Sequence, residues 1–269
     1  MAKRSAQTPS SKMHSAVLAE HLPTFKRAGL FVSGGVDSIA LLWLFTELFE
    51  AQRIVALHAD TPLAEGWELD ECRRVCEKLG VDLRVIRVDT FSISEVKLNG
   101  RTRCYACKSA MADALLSAGS AEGADTFFDA TTAQEIEQER PGMRALAERG
   151  IYSPFTKFDI SRNELHEYAN MAGLDPSVRS GSCMATRFPL GMPLSTEQME
   201  RLRLVEEKLR AVGFPLVRAR LQGDRKTVLV QADRDAHQRL SENLPFLREL
   251  ADSSGYSIHL HERPYSGIQ

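Results

Sequence analysis

Over the first 130 residues, short apolar runs alternate with amphipathic stretches, the pattern of repeated βαβ units around a parallel sheet. The predicted strands are Ala28 to Val32, Ile54 to His58, Leu83 to Val88 and Thr126 to Asp129. Helices are predicted at Ile39 to Phe49, Gly66 to Leu79 and Lys108 to Ser117. The first is almost wholly apolar, which suits burial against the sheet. A doubly wound α/β order follows. Ala130 to Gly142 is polar and ends in Arg140-Pro141-Gly142, which predicts a long loop at the carboxyl end of the fourth strand. Open α/β sheets carry ligands on such loops.

Ser161 and Glu164 form a capping box for a helix to about Met171, and the glycines and prolines between Gly173 and Pro193 predict a loop or hinge. A further box, Ser195 with Gln198, heads a helix to about Val212. Alternating strands at Leu216 to Leu221 and Thr227 to Gln231 flank the turn Gln222-Gly223-Asp224. A helix near Ala236 to Leu250 and a strand at Tyr256 to His261 complete a smaller α+β domain. The expected organisation is a tail over 1–24, disordered at its start, a nucleotide-type domain over 25–175, a cysteine-bearing connection over 176–194 and a C-terminal domain over 195–269.

Composition narrows the class. Hydrophobic residues at 43% and charged residues at 26% are ordinary for a globular chain, and 269 residues suffice for two cores. The formal net charge of -2 provides no overall positive field for a nucleic-acid backbone, though a local basic patch stays open. No apolar run is long enough for a signal peptide or a membrane span, so a cytoplasmic protein is expected. Five cysteines without an export signal point to reduced thiols used for packing, metal or catalysis.

Ser33-Gly34-Gly35-Val36-Asp37-Ser38 follows the first strand and opens the first helix. Adjacent glycines let backbone amides approach phosphate oxygens, and the helix N-terminus adds partial positive charge. Ser33 and Ser38 can donate hydroxyl hydrogen bonds. Asp37 would repel bare phosphate, so it is expected to orient the loop or to help hold Mg2+ against ATP. The Gly-Lys-Ser/Thr ending of a Walker A loop is missing. The run resembles the SGGxDS loop of the PP-loop ATP pyrophosphatases, a resemblance that implies attack on the α-phosphorus of ATP by a substrate oxygen, with release of pyrophosphate.

Cys72 and Cys76 share a helical stripe with Val75 and Leu79 and are read as core. Arg103-Cys104-Tyr105-Ala106-Cys107-Lys108 instead sets a CxxC pair between basic residues at a helix start, where charge and dipole favour thiolate. The pair alone reads equally as a redox couple or as half a zinc site. Cys183, in Ser180-Gly181-Ser182-Cys183-Met184-Ala185-Thr186-Arg187, makes a third thiol. Three thiols suit a cluster with one open iron better than a closed four-ligand zinc site.

Together with Arg140-Pro141-Gly142, these motifs resemble the LarE-type sulfur transferases over roughly Phe25 to the C-terminus. The resemblance implies adenylation of carboxylates of pyridinium-3,5-biscarboxylic acid mononucleotide, then displacement of AMP by sulfur, in nickel-pincer nucleotide biosynthesis. It implies ATP and Mg2+, a 4Fe-4S cluster on Cys104, Cys107 and Cys183, a sulfide donor, a homo-oligomer and a C-terminal domain that binds substrate or builds the oligomer. Cys183 and Asp37 are the implied catalytic residues. Arg218 and Arg220, on one face of a strand, are the implied phosphate ligands, with Arg187 beside them; Glu206 or Glu207 also faces the site. The expected Gly-Thr-Asn-Ala-Asp-Asp run is replaced by Ala130-Thr131-Thr132-Ala133-Gln134-Glu135. Other readings are a tRNA-thiolating enzyme, an ammonia-using adenylating ligase and a non-catalytic nucleotide-binding regulator.

Overall fold

A computed structural model describes residues 19–20, 22–137, 141–157, 160–174, 181–242 and 244–264. Most of the expected tail, Arg140, and the stretch 175–180 that includes Ser180 lie outside the described residues.

Strands β1 (Ala28–Phe31), β2 (Ile54–Asp60), β3 (Asp82–Arg87) and β4 (Thr126–Phe128) form a parallel sheet in the order β3-β2-β1-β4. Strand β2 shows why both faces are covered. Ile54 and Ala56 join a core with helix α1 (Val36–Leu48) and helix α2 (Gly66–Leu79), whereas the alternate residues Val55 and Leu57 join Leu115 and Ala124 on the other side. This bears out the doubly wound α/β class. Strands β1 and β4 meet where the strand order reverses, so the loops leaving their carboxyl ends share the crevice that such sheets use for ligands.

Helix α1 is buried at Val36 and from Ser38 through Phe45. Helix α7 (Arg162–Ala172) packs on it, with Trp43 stacked on Tyr168 at 5.3 Å between ring centroids. The capping box predicted for α7 is present, the Ser161 hydroxyl accepting from the Glu164 amide. Between α2 and α7 come a single turn, α3 (Ser94–Lys97), and α4 (Arg103–Ala121), which begins five residues earlier than the apolar pattern alone predicts and takes the CxxC pair into its start.

The predicted loop over 130–142 is corrected to two short helices, α5 (Ala133–Glu137) and α6 (Pro141–Ala147). Pro141 occupies the first position of α6, where its missing N–H costs nothing and its fixed φ favours the helix.

The chain divides into two compact units, the first of 1–90 and 104–181, the second of 91–103 and 182–269. In the second, helix α8 (Thr196–Ala211) backs a sheet of β5 (Val217–Leu221), β6 (Thr227–Ala232) and β7 (Ser257–Leu260), antiparallel then parallel. The single helix expected near Ala236 to Leu250 is two, α9 (Arg234–Glu242) and α10 (Leu244–Ser254). Pro245 explains the break, because its ring would meet the carbonyl of Ser241 in a continuous helix. No described helix is long and apolar enough to cross a membrane.

Helix α4 approaches the sheet closely because Gly119 has no side chain. A Cβ there would sit 2.5 Å from the Phe127 ring and 2.7 Å from Leu57. At Gly66 nothing lies within 4 Å of an added Cβ. Gly119→Ala should therefore lose stability despite its better helix propensity, by about 1–3 kcal/mol in urea unfolding, while Gly66→Ala should be neutral or gain a few tenths. Equal midpoints for the two variants would contradict this packing.

Candidate functional site

Strand β1 ends at Phe31 and helix α1 begins at Val36, so the chain turns within four residues. Gly34 makes the turn at φ 85°, and a Cβ there would lie 2.3 Å from the Glu68 carbonyl oxygen. Both the conformation and the space demand glycine. The hydroxyls of Ser33 and Ser38 lie 3.2 Å apart, and the Ser33 amide donates to Ser38 Oγ at 3.1 Å. Ser38 Oγ in turn donates to the Gly35 carbonyl at 3.0 Å. The two hydroxyls thus knit the loop. Gly35 caps α1 without a side-chain acceptor, which leaves the positive end of the helix suited to an anion.

Asp37 stands in the first turn of α1 with 24% of its side chain exposed. Arg162 Nη1 donates to both its oxygens, at 2.8 and 3.1 Å. Burial pushes the Asp37 pKa up, Arg162 and His166 oppose this, and Glu135 adds to it.

Across the β1–β4 junction, sequence reasoning missed Asp129 as a site residue. Its carboxylate is buried and accepts hydrogen bonds from the hydroxyls of Thr131 and Ser153. Tyr152 brings Ser153 there by pairing beside β4: its amide donates to the Phe127 carbonyl and its carbonyl accepts from the Asp129 amide. Burial drives the Asp129 pKa up, while the two hydroxyls and Lys108 act against the rise. The signal available in sequence was a lone acidic residue closing an apolar strand.

Cys72 and Cys76 are buried, as expected of core residues. Burial raises both thiols, Cys76 to about 12, which makes them poor nucleophiles and poor metal ligands at neutral pH. Cys104 is exposed and Cys107 half-buried at the start of α4. Tyr105 between them donates to Glu148 Oε2 at 2.5 Å and lies under the Arg144 guanidinium at 4.4 Å. Gly142 rests against Lys108, whose Cγ an added Cβ would meet at 3.1 Å. Helix α6 thereby clasps the CxxC turn.

In the second unit, exposed Cys183 heads a single 3-10 turn over Met184–Arg187. Arg187 is completely buried and binds Glu206 through two nitrogens, at 2.8 and 2.9 Å. Its Nη1 donates to the carbonyl and hydroxyl of Ser182, at 2.9 and 2.5 Å. Glu206 also accepts from Arg210 and from the Ala219 amide of β5. Helix phase in the sequence could not choose between Glu206 and Glu207; Glu206 is the buried one, and Glu207 is exposed. Arg218 and Arg220 lie opposite Val217, Ala219 and Leu221 on β5. Arg218 is buried and donates to the Val217 carbonyl, while half-buried Arg220 donates to the Thr186 carbonyl at 2.8 Å. Arg187 and Arg220 therefore fix the turn that carries Cys183.

The nucleotide-type loop with Asp37 and the CxxC pair on α4 thus belong to the first unit, and Cys183, Arg187, Arg218 and Arg220 to the second, where Arg187 and Arg220 bond the Cys183 turn. Among the described residues, no group of three or more His, Cys, Asp or Glu side chains is arranged to hold a metal ion.

Comparison with known proteins agrees with the loop. The profile of the PP-loop domain matches residues 7–175. The chain is 29% identical over 195 residues to an uncharacterised protein of Synechocystis, covering 72% of each. It is 26% identical over 210 residues to the pyridinium-3,5-bisthiocarboxylic acid mononucleotide synthase of Lactiplantibacillus plantarum, covering 78% of this chain and 76% of that one. The tRNA(Ile)-lysidine synthase of Pseudomonas fluorescens is 33% identical over 162 residues, or 54% of this chain and 36% of the synthase.

Two outcomes follow from the buried charges. Arg187→Ala leaves the buried Glu206 carboxylate with only Arg210 and the Ala219 amide, and should cost about 3 kcal/mol in chemical unfolding; a loss near zero would mean that the pair is not buried in solution. Asp129 has a raised folded pKa, so its share of stability is present at low pH and is lost as pH rises through that pKa. The melting temperature of Asp129→Asn relative to the unsubstituted chain should therefore climb as pH rises above the ordinary aspartate range, about pH 4. A constant difference above that range would show an ordinary carboxyl.

Proposed function

Since the chain belongs to the PP-loop family, we propose that it is an ATP-dependent sulfur transferase that activates carboxylates of pyridinium-3,5-biscarboxylic acid mononucleotide and replaces oxygen with sulfur. The coarser statement, an ATP-utilising enzyme of the sulfurtransferase or ligase type, rests on the family and its relatives. What carries the finer one is the pairing of two features in one chain: a PP-loop and an exposed cysteine whose turn is fixed by Arg187 and by Arg220 of β5.

In this reading the loop over Ser33, Gly34, Gly35, Val36, Asp37 and Ser38 receives the polyphosphate of ATP, with Asp37 serving the Mg2+ ion. A substrate carboxylate oxygen attacks the α-phosphorus, the bond to pyrophosphate breaks, and an acyl adenylate forms. A sulfur nucleophile then adds to the acyl carbon and AMP leaves, giving a thiocarboxylate. The C-terminal domain binds the mononucleotide and contributes to a homo-oligomer. Arg218 and Arg220 are proposed to recognise the mononucleotide phosphate in forked geometry. Arg187, with no exposure of its own, acts by holding the Cys183 turn.

Cys104, Cys107 and Cys183 would hold a 4Fe-4S cluster, whose open iron supplies a binding place for sulfide from a donor. Their thiol chemistry and accessibility suit that role, unlike Cys72 and Cys76. A cytoplasmic, reduced setting belongs to the same reading. The tRNA(Ile)-lysidine synthases favour a ligase reading, but their similarity covers 54% to 63% of the chain and 36% to 42% of their own length.

Anaerobic incubation with ATP, sulfide and the biscarboxylic mononucleotide should give a product heavier by the replacement of oxygen with sulfur, with release of AMP and pyrophosphate. Amide product from ammonia, or thiolated tRNA in place of the mononucleotide, would overturn the reading. Asp37→Ala should abolish substrate-dependent pyrophosphate release while melting as a folded protein. Because burial raises the Asp37 pKa, pyrophosphate release should also fall on acidification at a higher pH than an ordinary aspartate would give.

A further inference from the structure

Strand β1 parts from β2 at one identifiable bond. The parallel register pairs Phe31 with Leu57, and the Val32 amide still donates to the Leu57 carbonyl at 2.9 Å. One step further, the same ladder would bring the Ala59 amide to the Val32 carbonyl. Among the described residues no backbone amide takes that place; the partner is the side chain of His58, whose Nδ1 lies 2.9 Å from the carbonyl oxygen. Strand β2 runs on against β3 to Asp60, whereas the chain of β1 turns away into Ser33 and the nucleotide loop. His58 shares a face of β2 with Ile54 and Ala56 of the core and is only 3% exposed.

A carbonyl can only accept, so this contact requires a proton on Nδ1. Burial pushes the His58 pKa down, against the Val32 bond and Asp60, which keeps the ring neutral and leaves that proton as its one N–H. Cys72 of α2 completes the arrangement, its Sγ 3.4 Å from Nδ1 and 3.8 Å from the same carbonyl. Its thiol stays protonated, because burial raises it, and donates weakly at best. We propose that His58, in its Nδ1–H form, is a positioning residue for the nucleotide loop: by occupying the Val32 carbonyl it ends the β1–β2 ladder there and sets the direction in which Ser33, Gly34 and Gly35 leave the sheet. An Ala59 amide at the same carbonyl would prolong β1 by a residue and draw the short turn to Val36 out of shape. The inference rests on the ATP-dependent reading above and gives it a buried residue that touches no reacting atom.

The experiment joins two measurements on the full chain. Heteronuclear NMR of the imidazole nitrogens at neutral pH should find the His58 proton on Nδ1; a proton on Nε2 alone would overturn the proposal. Calorimetric titration with Mg-ATP reads the consequence. His58→Leu leaves the Val32 carbonyl without its donor, so fewer molecules hold the loop in its binding shape, and Mg-ATP should weaken by about tenfold, the equivalent of one hydrogen bond. His58→Asn, whose amide nitrogen can stand where Nδ1 stands, should recover most of that loss. AMP, which lacks the outer phosphates, should bind all three proteins alike. Melting temperatures separate binding from folding: unchanged Mg-ATP affinity in a less stable His58→Leu protein would reduce His58 to a structural residue and sink the idea, as would an equal loss for AMP. Failure of the unsubstituted chain to bind Mg-ATP while Nδ1 carries the proton would instead remove the ATP-dependent reading itself, and this inference with it.

Discussion

Helix α1 has almost no wet surface along its first ten residues, and that burial sets the geometry around it. The sheet, α2 and α7 all press on it, so its N-terminus cannot shift to suit a ligand. Gly34 must then turn in the short gap between β1 and α1, with the Glu68 backbone against it. The result is a loop whose amides and hydroxyls are ordered by packing beneath them. Preorganisation of this sort lets an anion bind without much further loss of chain entropy.

The second unit solves a similar problem with charge. Arg187 and Glu206 are buried together, each with further hydrogen bonds, and between them they join the Cys183 turn, α8 and β5. A buried ion pair gains little over apolar packing in net stability, since desolvation offsets much of the attraction. What it provides is direction. Ser182 and Thr186, on either side of the cysteine's turn, are held by guanidinium groups that accept only particular angles. The exposed thiol thus stands on a rigid base.

Much of this was legible in the sequence because it depends on neighbours in the chain. The β1 run, the glycine turn and the apolar helix are contiguous, and the Ser161–Glu164 box announces α7 within four residues. Contacts between distant segments left weaker traces. Arg162 meets Asp37 across 125 residues, and the only hint was a positive charge at the wrong end of a helix. Asp129 became noticeable only when Ser153 was brought beside it by pairing of Tyr152 with β4. The excursion over 91–103, which joins the second unit, shows little in sequence beyond the buried Val96, because backbone bonds from Gly191 and Leu194 to the Asn99 and Lys97 carbonyls help carry it. Pro245 was visible in the sequence, yet the apolar pattern around it ran on as though the helix were whole.

Cys72 and Cys76 do not take part in the proposed chemistry, but their burial changes how the other thiols can be studied. A thiol reagent added to the native chain meets Cys104, Cys107 and Cys183 at or near the surface and finds two sulfurs sealed in the core. Labelling in two stages, before and after denaturation, thus separates the surface set from the core set by accessibility alone. The core pair serves as an internal standard: as long as it stays unlabelled, any change at the other three reports on the site and not on unfolding.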